Sequence, residues 1–239
     1  AVITLDLHDR SDVRKPFNWE PAPLPSNVEV RAENDFLYYA ASADTVQGDF
    51  GAAARVAARY GQGNARTGSL EAHSPQSVLI VLKPFINADR HKAWAQLAQE
   101  LGAIEMDYPS LFAPSAAENN RLFQSVSFSL DAGSRDHSNE ELLLQAYQGE
   151  APLELVEKMW AYGRYLLISS SRPGDDPCPP LGLWCGEYQG FWAFNMVNVN
   201  MQMIYWQALS GNMPDIAMPM FDYHDRLLED FHTNARRLY

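Results

Sequence analysis

The chain of 239 residues is long enough for one large domain or two small ones, and its hydrophobic fraction of 46% and aromatic fraction of 12% are typical of a globular protein. A formal net charge of -12, with the basic residues scattered singly, argues against nucleic acid as a partner. No apolar run approaches the roughly 20 residues that span a bilayer, and Ala1–Leu7 is followed at once by charge, unlike a signal peptide.

Short alternating runs in the first third of the chain predict β-strands. Val28, Val30 and Ala32 alternate with polar residues, and residues 36–40 behave in the same way. The branched apolar run Ser77–Leu82 fits a buried strand. By propensity alone, residues 51–60 would form a helix, but we expect the neighbouring strands and turns to override that preference.

From Asp89 onward the pattern becomes helical. The N-terminal signals of the next helices are Asp89, for a helix to about Leu101; Ser115 with Glu118, for a helix ending near Phe123; and Ser138 with Glu141. Leu153–Ser170 carries a wide apolar stripe, which predicts a helix buried on most sides. Strands followed by helices favour an α+β protein in two packed parts rather than alternating βαβ units.

The last part of the chain predicts an irregular connection and then two helices. Four prolines at positions 173, 177, 179 and 180 interrupt regular structure. The helices are expected at roughly Asn200–Leu209 and Pro214–Arg237, with Asn212 as a plausible cap of the second. Cys178 and Cys185 lie in the proline-rich connection, either as free thiols or as one small disulfide.

One segment, 161–206, combines a buried helix, a loop dense in aromatic residues and two asparagines separated by one residue. Aromatic faces stack on the apolar side of a pyranose, and amides exchange hydrogen bonds with its hydroxyls. The segment therefore favours a sugar site. By spacing alone, Asn198 and Asn200 would more simply serve as a helix cap.

Three motifs in this segment resemble glycoside hydrolase family 95, the α-L-fucosidase and α-L-galactosidase family. They are Gly163–Ile168 with Ser171–Gly174, then Gly182-Leu183-Trp184, and the Asn-x-Asn-x-Gln-Met-x-Tyr-Trp run 198–206. Upstream residues also fall on the family pattern: Tyr108, Leu111, Leu122, Phe123, Val126 and Leu130. The resemblance covers roughly 36–239.

The resemblance implies a two-part α+β architecture. We expect the C-terminal half of a β-sandwich over residues 1–86, a helical linker over 87–150, and the first helices of an (α/α)6 barrel over 151–239. The remaining segments of the same enzyme would then be the partners of this chain. We expect no cofactor and no metal site, and an extracellular or periplasmic location.

The resemblance also implies an inverting exo-glycosidase that removes terminal α-L-fucosyl or α-L-galactosyl residues. Inversion needs two separated carboxyl groups with room for water between them. The family's water-positioning role falls on Asn198 and Asn200, whereas its general acid and base lie in segments beyond Tyr239. Hydrolysis by residues 1–239 alone is therefore not expected. A non-catalytic carbohydrate-binding or interaction protein derived from the same fold is the alternative.

The sequence departs from the family pattern around the pocket. Met196 stands where fucosidases usually carry His and galactose-preferring members Thr, so this position does not carry over a sugar preference. Trp184 is a candidate stacking platform or a core residue, and Glu187 is a candidate substrate contact or a solvated loop residue. Arg164 and Arg172 of the motif are expected to anchor backbone carbonyls or a buried carboxylate rather than to bind a ligand.

Overall fold

The computed structural model describes residues 2–5, 25–43, 47–59, 63–66, 68–73, 75–133, 136–184, 192 and 194–238. The chain divides into two compact units, the first formed mainly by Ala1–Pro114 and the second mainly by Ser115–Gly186 and Gly190–Tyr239. In the described ranges no helix is long and apolar enough to cross a membrane.

In the described residues, the first unit contains two antiparallel sheets, one complete helix and the start of a second. A three-stranded sheet has the order β1-β6-β5, and a four-stranded sheet has the order β2-β3-β4-β7. The strands are β1 (Val2–Thr4), β2 (Ser26–Glu33), β3 (Phe36–Ser42), β4 (Asp49–Arg59), β5 (Gly63–Arg66), β6 (Ser69–Ala72) and β7 (Ser77–Ala88). Helix α1 (Arg90–Gly102) follows β7 directly, capped by the Asp89 side chain, which accepts a hydrogen bond from the Lys92 amide as the sequence predicts.

The two central strands of the four-stranded sheet, β3 and β4, are covered on both faces, whereas the edge strand β7 exposes Ile80 and Leu82, so the expectation that Ser77–Leu82 is a buried strand is wrong for the described residues. On one face Tyr38 and Ala53 pack against Trp94 and Leu97 of α1. On the other, Leu37 and Ala54 share a buried cluster with Leu70 of the three-stranded sheet. Because both faces of β3 are covered, its consecutive residues Leu37–Ala41 are all buried, and its sequence is a continuous apolar run rather than the alternation expected for residues 36–40.

Strand β4 shows why the helical preference of residues 51–60 is overridden. It pairs with β3 on one side and β7 on the other, with Ala53 opposite both Tyr38 and Lys83. Ala53 and Ala54 are fully buried. Small side chains leave room for the large ring of Trp94 above the sheet, so tertiary packing outweighs the intrinsic helix propensity of alanine.

The second unit is helical. Its helices are α2 (Tyr108–Phe123, which begins in the first unit), α3 (Asn139–Gln148), α4 (Leu153–Ser170), α5 (Val199–Ser210), α6 (Pro214–Arg226) and α7 (Leu228–Leu238). The capping box of Ser138 and Glu141 is present as predicted, and α4 has the predicted bounds. The central core joins residues of α4, α5 and α6, with Ile168, Met201, Ala208 and Ile216 almost fully buried.

Two helix boundaries differ from the prediction. Helix α2 begins at Tyr108 rather than at Ser115, because the Asp107 carboxylate accepts hydrogen bonds from the Ser110 amide and hydroxyl and so caps an earlier first turn. The predicted helix 214–237 is broken at Leu227 into α6 and α7.

The predicted cap of α6 is also wrong. The N-cap is Met213, and Asn212 instead adopts a φ of 55° in the tight connection after α5. Asparagine tolerates this left-handed conformation better than most residues, which explains its place there.

Arg164, in the middle of α4, is the most notable buried polar residue, with 1% of its surface exposed. Its guanidinium donates to the carbonyls of Phe123 (2.9 Å), Gly211 (2.6 Å) and Leu122 (2.5 Å), and to the Ser125 hydroxyl (2.8 Å). Burial lowers the pKa of this guanidinium. The expectation that Arg164 anchors carbonyls is thus confirmed: it ties the ends of α2 and α5 to α4.

The prediction that α4 is buried on most sides is wrong for the described chain. One side packs into the core through Leu155, Arg164, Leu167 and Ile168. The other side exposes large apolar side chains: Leu153, Val156, Met159, Tyr162 and Tyr165. The apolar stripe is therefore wider than the surface that the described residues cover.

The α+β class is confirmed by two antiparallel sheets and seven helices in the described residues. The sandwich half, the barrel start and the boundaries at 86 and 150 stay predictions.

Candidate functional site

The asparagine pair lies at the N-terminus of α5. Asn198 has extended backbone angles, and its side-chain oxygen accepts a hydrogen bond from the Asn200 amide at 3.3 Å. Asn198 is exposed and Asn200 is half-buried. The capping role that spacing alone favours is therefore present, and it fixes the Asn198 amide at a helix end whose free N–H groups carry partial positive charge.

Trp184 is an exposed aromatic residue rather than a core residue, with 54% of its surface exposed. Its ring lies 6.3 Å from that of Tyr165 on α4, at an interplanar angle of 32°. Two exposed rings side by side offer an apolar platform of the kind that the pyranose face requires. Of the two alternatives for Trp184, the platform is the one that this exposure favours.

Gly182 sets the turn that presents Trp184. Its φ is +57°, and a β-carbon placed there would lie 2.9 Å from the Ser170 hydroxyl and 3.0 Å from Cδ1 of Trp184. The left-handed angle and the close approach both favour glycine. The turn of the Gly-Leu-Trp motif thus places the loop against the end of α4.

The proline-rich connection is tied to the core by one buried hydroxyl chain. The Ser171 hydroxyl donates its single hydrogen to the Ile216 carbonyl (3.0 Å). In its contact with the Tyr205 hydroxyl (2.8 Å), Ser171 therefore accepts and Tyr205 donates. The Tyr205 oxygen in turn accepts from the Cys178 amide at 2.8 Å. Burial raises the pKa of Tyr205 and of the free Cys178 thiol, so both groups are neutral near pH 7.

Arg172 also behaves as expected, as an anchor. Its guanidinium donates to the carbonyls of Ile168 and Ser171 at the C-terminal end of α4. A cation at this end interacts favourably with the helix dipole.

Two buried carboxylates of α4, Glu154 and Glu157, were missed by the sequence-based prediction. Both line a pocket of about 490 Å³ with Phe128 and Trp160, whose ring centroids are 5.4 Å apart. A signal was present, since the two residues are spaced i and i+3 inside an apolar stripe.

Both carboxylates have structural partners. Glu154 pairs with His137 (2.8 Å) and Lys158 (3.0 Å), and the His137 contact lowers the pKa of Glu154. Glu157 accepts hydrogen bonds from the Leu130 amide (2.5 Å) and the Ser129 hydroxyl (3.2 Å). These contacts hold the segment before α3 against α4.

The remaining predicted site residues are placed less completely. Met196 is half-buried in the segment that precedes α5. Glu187 and Cys185 lie outside the described residues. In the part of the chain that the structure describes, no three potential metal ligands cluster.

Comparison with known proteins identifies the class of enzyme to which this chain belongs. Residues 107–239 match the glycosyl hydrolase family 95 catalytic domain. Since that match covers more than half of the chain, the chain belongs to glycosyl hydrolase family 95.

Curated relatives agree with this assignment. The chain is 34% identical over 126 residues to alpha-L-fucosidase 2 of Arabidopsis thaliana, a match that covers 50% of this chain and 15% of the relative. It is 31% identical over 124 residues to the probable alpha-fucosidase A of Aspergillus niger, covering 51% of this chain and 16% of the relative. The matched part is therefore about one sixth of the length of these relatives.

Proposed function

We propose that this chain forms the water- and sugar-positioning part of an inverting exo-glycoside hydrolase that removes terminal α-L-fucosyl residues, or α-L-galactosyl residues, from glycans. The observation that carries the proposal is the fixed amide of Asn198 at the start of α5, within the segment that matches the family's catalytic domain. The two curated relatives are named as fucosidases, which supports fucose as the first sugar to test.

The chemical argument rests on what an amide can do for water. In an inverting reaction a water molecule must approach the anomeric carbon from the side opposite the leaving group. An amide oxygen accepts a hydrogen bond from that water and so directs its lone pair toward the carbon, while the general base takes the proton. Asn198 and Asn200 are assigned this role, while Met196, Trp184 and Glu187 are assigned to the sugar-binding wall.

The general acid and base are assigned to other segments of the same enzyme. The exposed apolar side of α4 supports a contact with those other segments. Helix α5 adds four more large exposed side chains: Val199, Met203, Trp206 and Leu209. An apolar surface of this kind marks a contact site. Because the relatives are several times longer than the matched part, we assign further helices of the same polypeptide as its cover.

The test is hydrolysis of an aryl α-L-fucoside and an aryl α-L-galactoside by the complete enzyme that carries this chain. Release of the aryl group is expected from one of them, and NMR of the first-formed sugar should show the inverted anomer. Purified residues 1–239 should release nothing.

The asparagine pair is tested in the same enzyme. Asn198→Ala and Asn200→Ala should each lower turnover by about 10²-fold or more, because the attacking water is no longer held in line with the anomeric carbon. Asn120→Ala, on an exposed position of α2, is the matched control and should leave turnover unchanged. Normal turnover in both site variants would reduce the pair to a helix cap. Sugar binding without any release would favour the non-catalytic alternative.

A further inference from the structure

The Tyr205 hydroxyl connects α5 to the loop that carries Trp184. Tyr205 lies with Met201 and Ala208 on the buried face of α5 and has 3% of its surface exposed. Its oxygen accepts a hydrogen bond of 2.8 Å from the amide of Cys178, in a segment that forms neither helix nor strand. A well-packed helix therefore holds an irregular loop through this one phenol group.

The sequence of the loop shows why this hydrogen bond matters. Residues 177–180 read Pro-Cys-Pro-Pro, so Cys178 is the one residue of the four that has a backbone N–H. Cys178 is buried, with 6% of its surface exposed, and a buried N–H group requires an acceptor. The Tyr205 oxygen supplies that acceptor, so the only backbone donor of this stretch is used to attach it to α5.

Two turns lead directly from this attachment to Trp184. The Gly182 amide donates to the Pro179 carbonyl at 2.8 Å, and the Trp184 amide donates to the Leu181 carbonyl at 3.2 Å. Proline rings fix the φ angles of residues 179 and 180, which leaves the first turn few ways to move relative to Cys178. The position of the Trp184 ring therefore follows from the position of Cys178.

Helix α5 carries the asparagine pair as well as this attachment. Asn198 and Tyr205 are seven positions apart in the sequence, which corresponds to about 10 Å along a helix axis. A helix is stiff over so short a distance, and the buried face of α5 is packed against its neighbours. The Asn198 amide and the anchor of the Trp184 loop are thus parts of one rigid element.

We propose that Tyr205 is a positioning residue of the hydrolase, whose hydroxyl holds the Trp184 ring in place relative to Asn198. This inference rests on the proposed function, because it takes Trp184 as the sugar platform and Asn198 as the group that holds water. Tyr205 is buried and does not touch the sugar itself. A platform held in place before binding lowers the entropy that binding must spend on ordering it, so its release acts on KM rather than on kcat.

The first test measures kcat and KM of the complete enzyme on the aryl glycoside that it cleaves. Tyr205→Phe removes the hydroxyl and keeps the ring, and should raise KM about five- to tenfold with kcat changed by less than about twofold. Ser171→Ala is the matched control, because it removes the other hydroxyl that contacts Tyr205 and leaves the Cys178 bond in place. Its KM should be that of the unchanged enzyme.

A double substitution separates positioning of Trp184 from any other effect of the hydroxyl. Trp184→Ala should raise KM by itself, because the ring that stacks on the sugar is gone. In that background Tyr205→Phe should raise KM no further, since no platform is left to be held.

The second test does not depend on activity. Hydrogen exchange followed by mass spectrometry is measured on the complete enzyme, where peptides that differ by residues 177–180 differ in one backbone amide hydrogen, that of Cys178. This amide should exchange slowly in the unchanged enzyme and in Ser171→Ala, and about tenfold faster or more in Tyr205→Phe.

The positioning role is overturned by an unchanged KM in folded Tyr205→Phe, by an equal rise of KM in Ser171→Ala, or by a further rise in the Trp184→Ala background. If Tyr205→Phe does not fold, exchange of the Cys178 amide in the unchanged enzyme decides, because exchange as fast as that of an exposed amide overturns the anchor. If the enzyme cleaves neither glycoside, the proposed function fails. Faster exchange in Tyr205→Phe then still supports the anchor, and unchanged exchange overturns it.

Discussion

Replacing Arg164 by methionine removes the buried cation of α4 while keeping a flexible side chain of similar length. Three carbonyl oxygens lose a charged donor, those of Leu122, Phe123 and Gly211. The Trp160 ring, which lies 5.6 Å from the guanidinium carbon, loses a cation–π contact as well. The Arg164 side chain is 1% exposed, so bulk water does not simply replace the donors that these carbonyls lose.

The loss of stability follows from the acceptors left behind: the carbonyls of Phe123 and Gly211 lose this donor, whereas the Leu122 carbonyl keeps the Ser125 hydroxyl. Each buried acceptor without a partner costs about 1–3 kcal/mol. Water that enters the space vacated by the guanidinium restores part of this, so we expect Arg164→Met to lower the free energy of unfolding by about 3–5 kcal/mol. That is a large fraction of the about 5–15 kcal/mol that stabilises a typical protein.

The assay is urea unfolding followed by tryptophan fluorescence and circular dichroism. Arg164→Lys should be destabilised too, because an ammonium cannot place planar donors on three carbonyls at once. Arg121→Met is the matched control, since Arg121 is exposed and pairs with Glu118 on its own helix, an arrangement that contributes little. A loss below about 1 kcal/mol for Arg164→Met, or an equal loss in the control, would refute the anchoring role.

Two further predictions concern local contacts. Gly182→Ala should lower the free energy of unfolding by about 1–3 kcal/mol, through its left-handed backbone and the crowding of Ser170. Gly133→Ala, also at a left-handed φ (+73°) but with no neighbour within 4 Å, should lose less, and equal losses in urea unfolding would show that the contact is irrelevant. Hydrogen bonds from Arg90 hold the pKa of Asp49 well below its ordinary value of 3.8. A carboxyl group whose pKa is depressed in the folded protein stabilises the fold at pH values above its unfolded pKa, and this stability is lost as the pH falls toward the folded pKa. Asp49→Asn should therefore flatten the fall in stability below about pH 4. Unfolding curves with the same pH dependence for both proteins would contradict this.

Much of the fold follows from local sequence signals. Helix α4 has the predicted bounds because Pro152 and the apolar periodicity act over a few residues, and the capping box at Ser138 is equally local. Strand β4 could be predicted only from its neighbours, since its small alanines are required by the Trp94 ring on α1, which is distant in sequence. The start of α2 was missed because Asp107 provides an earlier cap than Ser115.

The candidate site divides in the same way. The left-handed turn at Gly182 and the cap at Asn198 are consequences of motif residues, and their positions follow from the sequence. The pocket lined by Glu154 and Glu157 could not be predicted, because it needs side chains from segments that only tertiary packing brings together. One of the two partners of the buried Glu154 carboxylate, His137, likewise lies 17 residues away in the chain.

The asparagine pair has two proposed roles, as a helix cap and as a group that positions water, and a single substitution distinguishes them. Capping occupies one of the two lone pairs of the Asn198 oxygen, so the same amide can also hold water. Serine caps a helix about as well as asparagine but carries no amide. Asn198→Ser should therefore keep the stability that Asn198→Ala loses, yet show the same fall in turnover in the complete enzyme. If Asn198→Ser restored turnover together with stability, the fixed helix end would be sufficient and the amide would have no chemical role.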